Sequence, residues 1–263
     1  MQGLQVARKG PIATVTLDRP TKRNAFDVAT VTALHEQVAA LADDAEVACV
    51  VVTGSGSGFC AGGDLAAMRE RLGTDAPGLF AELTRHLHPT VRLLATMDKP
   101  TLAAVNGVVA GGGWGLALGC DLRIASDAAK FKTAYFALGV VPDGGITWLL
   151  PHAVGPAKAR ELLFLDEVID APEALRLGLV NKVVPADRLE AETMAWAERL
   201  AMAPRSVVAR TKRLVGEAPL ATLDAQLRAE RRWNAASAAE PDLQEGLRAF
   251  TEKRAPRFPS AHP

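Results

Sequence analysis

The sequence lacks a net charge, because its 30 basic residues balance its 30 acidic residues. Proteins that bind nucleic acids or membrane surfaces in general carry a clear basic excess, so the balance argues against both classes, while a local basic patch remains compatible with it. No stretch is apolar for long enough to cross a bilayer. The N-terminal segment, with Arg8 and Lys9 in strand-like sequence, has no apolar signal-peptide core.

Cysteine is scarce as well, with only Cys49, Cys60 and Cys120 in 263 residues. The number is odd and the spacing is not that of a metal site, which argues against a disulfide framework and against bound metal. We therefore expect reduced thiols and a cytoplasmic protein.

Hydrophobic residues make up 49% of the chain, which is ordinary for a globular protein. Short apolar and alternating runs predict several strand–strand–helix passages up to about residue 203, and the chain from Pro204 onward is helix-rich and more charged. The first passage is a hairpin of Leu4–Arg8 and Ile12–Leu17. It is followed by a helix that Asp27 caps and that runs to about Ala42, with an apolar face of Val31, Leu34, Val38 and Leu41. We predict an α/β core over 1–203 and a C-terminal helical region over 204–263. That region is too small for a core of its own, so it should dock on the core or on another subunit.

A glycine-rich stretch over Val109–Leu118 follows an apolar run that predicts a buried strand. Three successive glycines, Gly111–Gly113, precede a short apolar segment of helical character. The first amides of a helix lack intrahelical partners and suit negative charge. Because no basic residue lies in this stretch, stabilisation of a small oxyanion is favoured over phosphate binding. Tight helix packing is the alternative.

A second glycine-rich stretch, Gly54–Asp64, also follows a predicted buried strand. It resembles a dinucleotide-binding fingerprint at its first and third positions, but Phe59 stands where the third glycine is needed. We therefore predict a second backbone turn. Asp64 then acts as the cap of a helix that begins at Leu65.

Several segments together carry a family resemblance. They are Asp18-Arg-Pro-Thr-Lys-Arg-Asn-Ala25, Phe59-Cys-Ala-Gly-Gly-Asp-Leu65, Lys99-Pro-Thr-Leu-Ala-Ala-Val-Asn-Gly107 with the glycines at 111–113, Cys120-Asp-Leu-Arg-Ile-Ala125, and Phe250-Thr-Glu-Lys-Arg254. Over essentially its whole length the chain resembles the crotonase superfamily of enoyl-CoA hydratases and isomerases. Its C-terminal region is also similar to the ring-epoxide phenylacetyl-CoA isomerases of the phenylacetate pathway. The resemblance implies a crotonase (ClpP-like) α/β fold, a spiral of ββα units with a C-terminal helical trimerisation region, assembled as a homotrimer or a dimer of trimers.

The resemblance also implies an acyl-CoA thioester substrate, with coenzyme A arriving as part of the substrate and no further cofactor. It places the backbone amides of Gly63 and Gly112 around the thioester oxygen. It implies substrate contacts at Lys22, Arg23, Ala25, Ala61, Asp64, Leu65, Val109, Tyr135, Phe250 and Lys253. Basic side chains suit the phosphates of coenzyme A. Phe250 and Lys253 match a pair that a neighbouring subunit offers, although ordinary helix packing explains them too.

The departures from the family pattern bear on the reaction. Hydratases of this family use two glutamates, and the matching positions hold Gly115 and Tyr135, neither of which acts as a carboxylate base at neutral pH. Asp143 stands where family isomerases carry an acid. We therefore favour an enoyl-CoA isomerase with Asp143 as acid and base, and expect the neighbouring Leu138, Val140 and Val141 to raise its pKa by desolvation.

Other interpretations stay open. Asp143 lies in a Pro-Asp-Gly sequence that is typical of a turn without any catalytic role. Hydration is a second possible activity. An aryl-CoA dehalogenase or hydrolase, with Asp143 as nucleophile and His88 as base, is a third, although the dehalogenases carry tryptophan where Tyr135 stands. A non-catalytic acyl-CoA-binding paralogue is a fourth. Tyr135 either orients a polar acyl group or packs in the core.

Overall fold

The chain begins with the hairpin that its alternating pattern predicts, and the strands pair antiparallel across Gly10, whose φ is +55°. The computed structural model describes residues 3–261, and within that part it has ten strands and eleven α-helices. The strands are β1 (Leu4–Lys9), β2 (Ile12–Leu17), β3 (Cys49–Gly54), β4 (Gly58–Cys60), β5 (Thr101–Val105), β6 (Val108–Ala110), β7 (Leu122–Ser126), β8 (Lys130–Lys132), β9 (Ile169–Asp170) and β10 (Lys182–Val184). The helices of the core are α1 (Val28–Asp43), α2 (Leu65–Glu70), α3 (Ala76–Thr96), α4 (Gly113–Gly119), α5 (Ile146–Val154), α6 (Pro156–Leu165), α7 (Ala171–Arg176) and α8 (Leu189–Ala201). The C-terminal helices are α9 (Arg205–Glu217), α10 (Leu223–Ala238) and α11 (Pro241–Thr251).

The strands form two sheets. The larger sheet has the order β1-β2-β3-β5-β7-β10, and all of its pairs after the first hairpin are parallel. The smaller sheet has the order β4-β6-β8-β9, with parallel pairs except between β8 and β9. A strand of the larger sheet is followed by a short strand of the smaller sheet and then by a helix, in β3-β4-α2 and again in β5-β6-α4. This repeated ββα unit confirms the predicted fold class.

The prediction of a plain turn over Gly54–Asp64 was wrong in part, because β4 lies inside that stretch. Likewise Val109 and Ala110 of β6 lie in the glycine-rich stretch Val109–Leu118, for which no strand was predicted. Each of these strands is only three residues long, which is too short for an alternating pattern to appear in the sequence. The predicted cap is confirmed, since the Asp64 carboxylate accepts hydrogen bonds from the amides of Ala66 at 3.0 Å and Ala67 at 3.5 Å.

Two helices cover one face of the larger sheet. α1 begins after Asp27, whose carboxylate caps it by accepting from the Thr30 amide at 2.8 Å. The predicted apolar face of α1 is buried, and so are the side chains of α3 at Leu83, Leu87 and Leu94. α8 covers the opposite face through Leu189, Ala197 and Ala201. The parallel sheet is thus buried on both sides, as its continuous apolar strands require.

All three cysteines are buried and unpaired. Burial raises the pKa of the thiols of Cys49, Cys60 and Cys120 to about 12, so each thiol is protonated at neutral pH. No helix among residues 3–261 is both long and apolar enough to span a membrane.

Lys212 is a main contact between the C-terminal helices and the core, beside the hydrogen bond of 2.8 Å from Arg205 to the carbonyl of Ala45. The ammonium group of Lys212 on α9 donates to the carbonyl of Leu94 at 2.8 Å, to the carbonyl of Lys99 at 3.0 Å and to the Asp121 carboxylate at 2.8 Å. The Lys212 side chain is only 8% exposed. These bonds fix α9 against the end of α3, at the start of the region that was predicted to be a helical appendage.

We expect Lys212→Met to lower the free energy of unfolding by roughly 3 kcal/mol, because it removes a buried cation that bonds three acceptors at once. The Lys99 carbonyl then loses its side-chain donor, whereas the Leu94 carbonyl and the Asp121 carboxylate keep their hydrogen bonds from Thr101. Lys9→Met is the matched control. Lys9 also joins distant elements, through an ion pair of 3.0 Å with Glu198, but both side chains are exposed. Its loss should cost about 0.5 kcal/mol or less. Equal losses for the two variants in urea unfolding would contradict this role of Lys212.

Candidate active site

Three loops meet where the small sheet adjoins the helices. The first loop, residues 60–64, joins β4 to α2, and the second, residues 110–113, joins β6 to α4. A Cβ atom placed on Gly62 would lie 2.9 Å from the carbonyl oxygen of Ala110 and 3.2 Å from the amide nitrogen of Gly112. A Cβ on Gly113 would collide with the carbonyl of Cys60. The first two loops therefore touch main chain to main chain.

The two glycines predicted to hold an oxyanion lie in these touching loops. Gly63 follows Gly62 directly, and Gly112 is the residue before α4. Neighbouring groups of the first loop are paired with another segment, since the Phe26 amide donates to Gly62 at 2.8 Å and the Asp64 amide donates to Phe26 at 2.9 Å. Within residues 3–261, the amides of Gly63 and Gly112 donate to no other backbone group.

The third loop, residues 142–145, packs on the second. Its turn needs glycine, because Gly144 and Gly145 have φ of +61° and +78°. A Cβ on Gly144 would lie 3.5 Å from Cα of Gly112, and a Cβ on Gly115 would collide with the carbonyl oxygen of Gly144. The space beside Gly115 is thus filled by the main chain of the third loop.

Asp143 lies in this third loop and is partly buried. Its Oδ1 accepts a hydrogen bond of 2.8 Å from the hydroxyl of Tyr135, which is only 5% exposed. Burial raises the pKa of Asp143 above 3.8, and this outweighs the opposing effects of the Tyr135 hydrogen bond and of nearby His88. Burial, followed by the charge of Asp143, also raises the pKa of Tyr135.

The predicted source of this desolvation was wrong in part. Leu138 is 51% exposed and Val141 is 85% exposed, so neither side chain covers the carboxylate. Only Val140 packs against the core. These residues lie on an exposed surface loop, and a run of apolar letters does not reveal which way each side chain points.

His88 reaches the same loop from α3. Its Nε2 accepts a hydrogen bond of 3.3 Å from the amide of Gly144, the residue after Asp143. Asp143 and His88 line one cavity of about 830 Å³ between α3, the third loop and α9. Its other lining residues are Val91, Arg92, Ala95, Thr96, Asp98, Pro142, Gly144, Gly145, Thr147, Trp148, Leu149, Lys212, Arg213, Gly216 and Glu217. Gly63 and Gly112, which were predicted to hold the oxyanion, do not line this cavity.

The predicted coenzyme A contacts in the first part of the chain lie close together. The Ala61 amide donates to the carbonyl of Arg23 at 3.0 Å, and the Lys22 ammonium lies 2.7 Å from the Asp64 carboxylate. Arg23 and Leu65 are exposed at this surface, whereas Ala25 is buried.

The remaining predicted contacts are more scattered. Val109 is fully buried in β6, so a direct contact with substrate would have to use its main chain. Phe250 lies exposed at the end of α11, and Lys253 follows with a left-handed backbone at φ +53°. Their predicted contact with the substrate of another subunit stays a prediction.

The sequence analysis missed Arg19. Its guanidinium donates to the carbonyl of Ala25 at 2.5 Å and to the Asp64 carboxylate at 2.9 Å, and it lies 3.0 Å from the Asp27 carboxylate. Arg19 thereby fastens the first loop to the segment before α1. The only signal was its place inside a motif whose other basic residues had been assigned to phosphate binding.

Comparison with known proteins agrees with this geometry. The sequence profile of the enoyl-CoA hydratase/isomerase family matches residues 7–261. The chain is 38% identical to 1,2-epoxyphenylacetyl-CoA isomerase of Escherichia coli (strain K12) over 94% of each chain, and 36% identical to crotonyl-CoA hydratase of Syntrophomonas wolfei over 98% of each chain. The crystal structure of an enoyl-CoA hydratase from Bacillus anthracis superposes with a TM-score of 0.91 at 30% identity, covering 100% of both chains. With two touching glycine loops, a ββα spiral and these relatives, the chain belongs to the enoyl-CoA hydratase/isomerase family of the crotonase superfamily.

Proposed function

We propose that the protein is an enoyl-CoA isomerase in which Asp143 carries the proton. The observation that supports this most is the partly buried carboxylate with a raised pKa, held beside the loops that contain Gly63 and Gly112. A carboxyl group whose pKa is raised is a stronger base once ionised and is suited to acid–base work near neutral pH. The isomerase from Escherichia coli among the relatives is consistent with this choice.

The proposed reaction moves a double bond from the β,γ to the α,β position. Asp143 takes a proton from the α carbon, so the C–H bond breaks, an O–H bond forms, and the electron pair moves through the double-bond system to the thioester oxygen. The amides of Gly63 and Gly112 stabilise the resulting dienolate, and one such donor is worth roughly 3 kcal/mol of the barrier. Asp143 then returns the proton to the γ carbon. No redox partner or metal takes part.

Hydration is the competing activity, and a relative from Syntrophomonas wolfei is named a crotonyl-CoA hydratase. Two features favour isomerisation over it. The main chain of Gly144 fills the space beside Gly115, where a glutamate of the hydratases would stand. Tyr135 occupies the other glutamate position. Because its pKa is raised, its hydroxyl stays protonated and cannot act as a base.

A hydrolytic reaction with Asp143 as nucleophile is the second candidate. The contact between His88 and the loop of Asp143 favours it, because it brings a histidine to the carboxylate. The same contact weakens it, since the ring nitrogen that would activate water already accepts the Gly144 amide. A covalent adduct on Asp143 after mixing with an aryl-CoA, detected by mass spectrometry, would favour this second reaction.

We infer that coenzyme A lies along the surface of Lys22, Arg23, Ala61 and Leu65, with its phosphates near the basic groups. The Lys22 ammonium forms an ion pair of 2.7 Å with the Asp64 carboxylate. A bound phosphate would therefore either contact the ammonium beside Asp64 or displace that carboxylate. Phe250 and Lys253 would complete the site from a neighbouring subunit. The exposed apolar side chains of the C-terminal helices support such an assembly, as a homotrimer or a dimer of trimers; among them are Leu223, Leu227, Leu243 and Leu247.

Asp143→Asn should lower the turnover of 3-enoyl-CoA at least hundredfold, because the amide cannot take a proton. It should not lower the melting temperature at neutral pH. Since burial raises the pKa of Asp143 in the folded state, its ionised form disfavours folding, and that cost sets in as pH rises from the unfolded pKa through the folded one. In the wild type, kcat/KM should rise with pH through the raised pKa.

The readouts are NMR of double-bond movement and exchange of the α proton with D2O. Exposed Asp187, replaced by Asn, serves as the control and should leave both unchanged. A screen of enoyl-, dienoyl- and aryl-CoA thioesters completes the test. Dominant conversion of crotonyl-CoA to its 3-hydroxy product would reject the isomerase assignment, and binding without any α-proton exchange would indicate a non-catalytic acyl-CoA-binding protein.

Gly115→Ala should destabilise the protein by about 1–3 kcal/mol, because the added methyl group meets the carbonyl of Gly144 and forces the third loop to move. Gly216→Ala in α9 is the matched control, as a Cβ there meets nothing within 4 Å. That change should stabilise by about 0.5–1 kcal/mol, the propensity difference in a helix. If Gly115→Glu were stable and gained hydratase activity, the proposed reason for the missing hydration would be wrong.

Light scattering during gel filtration should give a mass of three or six chains. Replacing Leu223 and Leu227 by Glu should produce monomers, because charges cannot be buried unpaired in an apolar interface. Leu175→Glu, which alters an exposed leucine of α7, should leave the mass unchanged. A wild-type protein that is monomeric at micromolar concentration would contradict the proposed assembly.

A further inference from the structure

We propose that Tyr135 is a positioning residue that fixes the Asp143 carboxylate and sets its basicity, an inference that rests on the proposed function. The tyrosine hydroxyl donates to Oδ1 at 2.8 Å and lies 3.3 Å from the main-chain carbonyl of the same residue. Within residues 3–261, no group donates to Oδ2. One oxygen of the carboxylate is thus occupied by Tyr135, and the other is left to exchange protons with the substrate.

The tyrosine is itself held in place. Ala134 before it has a left-handed backbone with φ +60°, and its amide donates to the Asp166 carboxylate at 2.5 Å. The hydroxyl of Thr133 donates to the same carboxylate at 2.7 Å. On the C-terminal side, the main-chain carbonyl of Tyr135 accepts a hydrogen bond of 3.0 Å from the Leu138 amide. The loop up to Asp143 is therefore closed by both the carbonyl and the hydroxyl of Tyr135.

The charges around the pair define what the hydrogen bond does. His88 faces Asp143 from α3, and Cys60 faces Tyr135 from β4 with a thiol that stays protonated. Tyr135 has a raised pKa, so it keeps its proton wherever the enzyme works. It is a permanent donor that stabilises the ionised carboxylate, whereas burial favours the protonated form. Tyr135 therefore limits how far burial raises the pKa of Asp143.

The same bond serves both halves of the reaction. When a proton moves from the α carbon to Oδ2, Oδ1 remains an acceptor and Tyr135 keeps donating to it. The carboxyl group therefore does not rotate before the proton leaves for the γ carbon. Holding a reacting group in one geometry through both transfers avoids a reorganisation cost at each step.

The simpler explanation is that a buried tyrosine only needs an acceptor for its hydroxyl. In that case, loss of the hydroxyl would affect folding and leave the chemistry of each folded molecule unchanged. Tyr135→Phe separates the two. We expect kcat to fall about tenfold, the scale of one hydrogen bond to a charged group, with KM little changed. Because the bond lowers the pKa of Asp143, the acid limb of kcat/KM should move to higher pH.

Thr101→Val is the matched control. It removes a buried hydroxyl that donates to a carboxylate at 3.0 Å, as in Tyr135, but the carboxylate is that of Asp121. Stability should fall, and the pH profile should stay where it is. Incorporation of 3-fluorotyrosine, whose phenol is more acidic and donates more strongly, should move the acid limb to lower pH. A pH profile that is unmoved in both Tyr135 variants would overturn the proposal.

A second measurement needs no variant, because Tyr135 is the only tyrosine of the chain. Tyrosine labelled with 13C at Cζ gives a single assignable NMR signal. That signal should shift as Asp143 titrates, and the shift should vanish in Asp143→Asn. A signal that is constant between pH 4 and 9 in the wild type would also overturn the proposal.

Failure of the proposed function would look different. If Asp143→Asn kept full isomerase activity, Asp143 would not be the base, and a role of Tyr135 in positioning that base would fall with it, whatever the NMR shows. If Asp143→Asn is inactive but the tyrosine signal and the pH profile do not respond, only the role of Tyr135 is wrong.

Discussion

Direct contact between main chains is the constraint on which this site depends. The loops at 60–64, 110–113 and 142–145 approach so closely that a single added carbon at Gly62, Gly113 or Gly115 would meet a backbone atom. Side chains cannot enter these contacts, so the spacing of the three loops is set by the backbone, while Tyr135 orients the Asp143 carboxylate. Interiors packed this tightly transmit small shifts, which makes the glycines as important for the geometry as the groups that react.

The position of Asp143 shows how such a site opposes stability. Burial disfavours the ionised carboxylate. The hydrogen bond from Tyr135 restores part of the stability that the ionised form loses on burial. A solvated aspartate would stabilise the fold more but would be a weaker base. If Asp143 acts as proposed, the loop gives up some folding free energy for chemistry, which is common where a pKa must differ from its value in water.

The sequence predicted those parts that depend on local patterns. The first hairpin, the cap at Asp27, the apolar face of α1 and the glycine turns follow from periodicity and from the conformational freedom of glycine. The three-residue strands β4 and β6 were missed, because they lie inside glycine-rich stretches and are too short to show a period. The covering of Asp143 was assigned to Leu138 and Val141, which are exposed, because burial depends on tertiary packing.

The pairing of Tyr135 with Asp143 was missed for a related reason. The two residues are eight positions apart, joined by one turn of 3-10 helix over Phe136–Leu138 and an irregular loop, and no spacing rule brings such residues together. The same holds for Gly115. The sequence shows that a glutamate is absent there, but it does not show that the main-chain carbonyl of Gly144 fills the space beside it. The sequence pattern therefore showed which chemical groups are present, but it did not show which of them come into contact in the folded protein.

The burial of the cysteines has a consequence for an enzyme that handles thioesters. Cys60 is the first residue of the first glycine loop, and in the proposed site an exposed thiolate there could attack the acyl carbonyl and carry the acyl group away from coenzyme A. Its pKa of about 12 keeps it in the unreactive thiol form. With a thioester bound at the glycine loops as proposed, the buried thiol would not take up the acyl group, and the substrate would stay attached to the carrier on which it arrived.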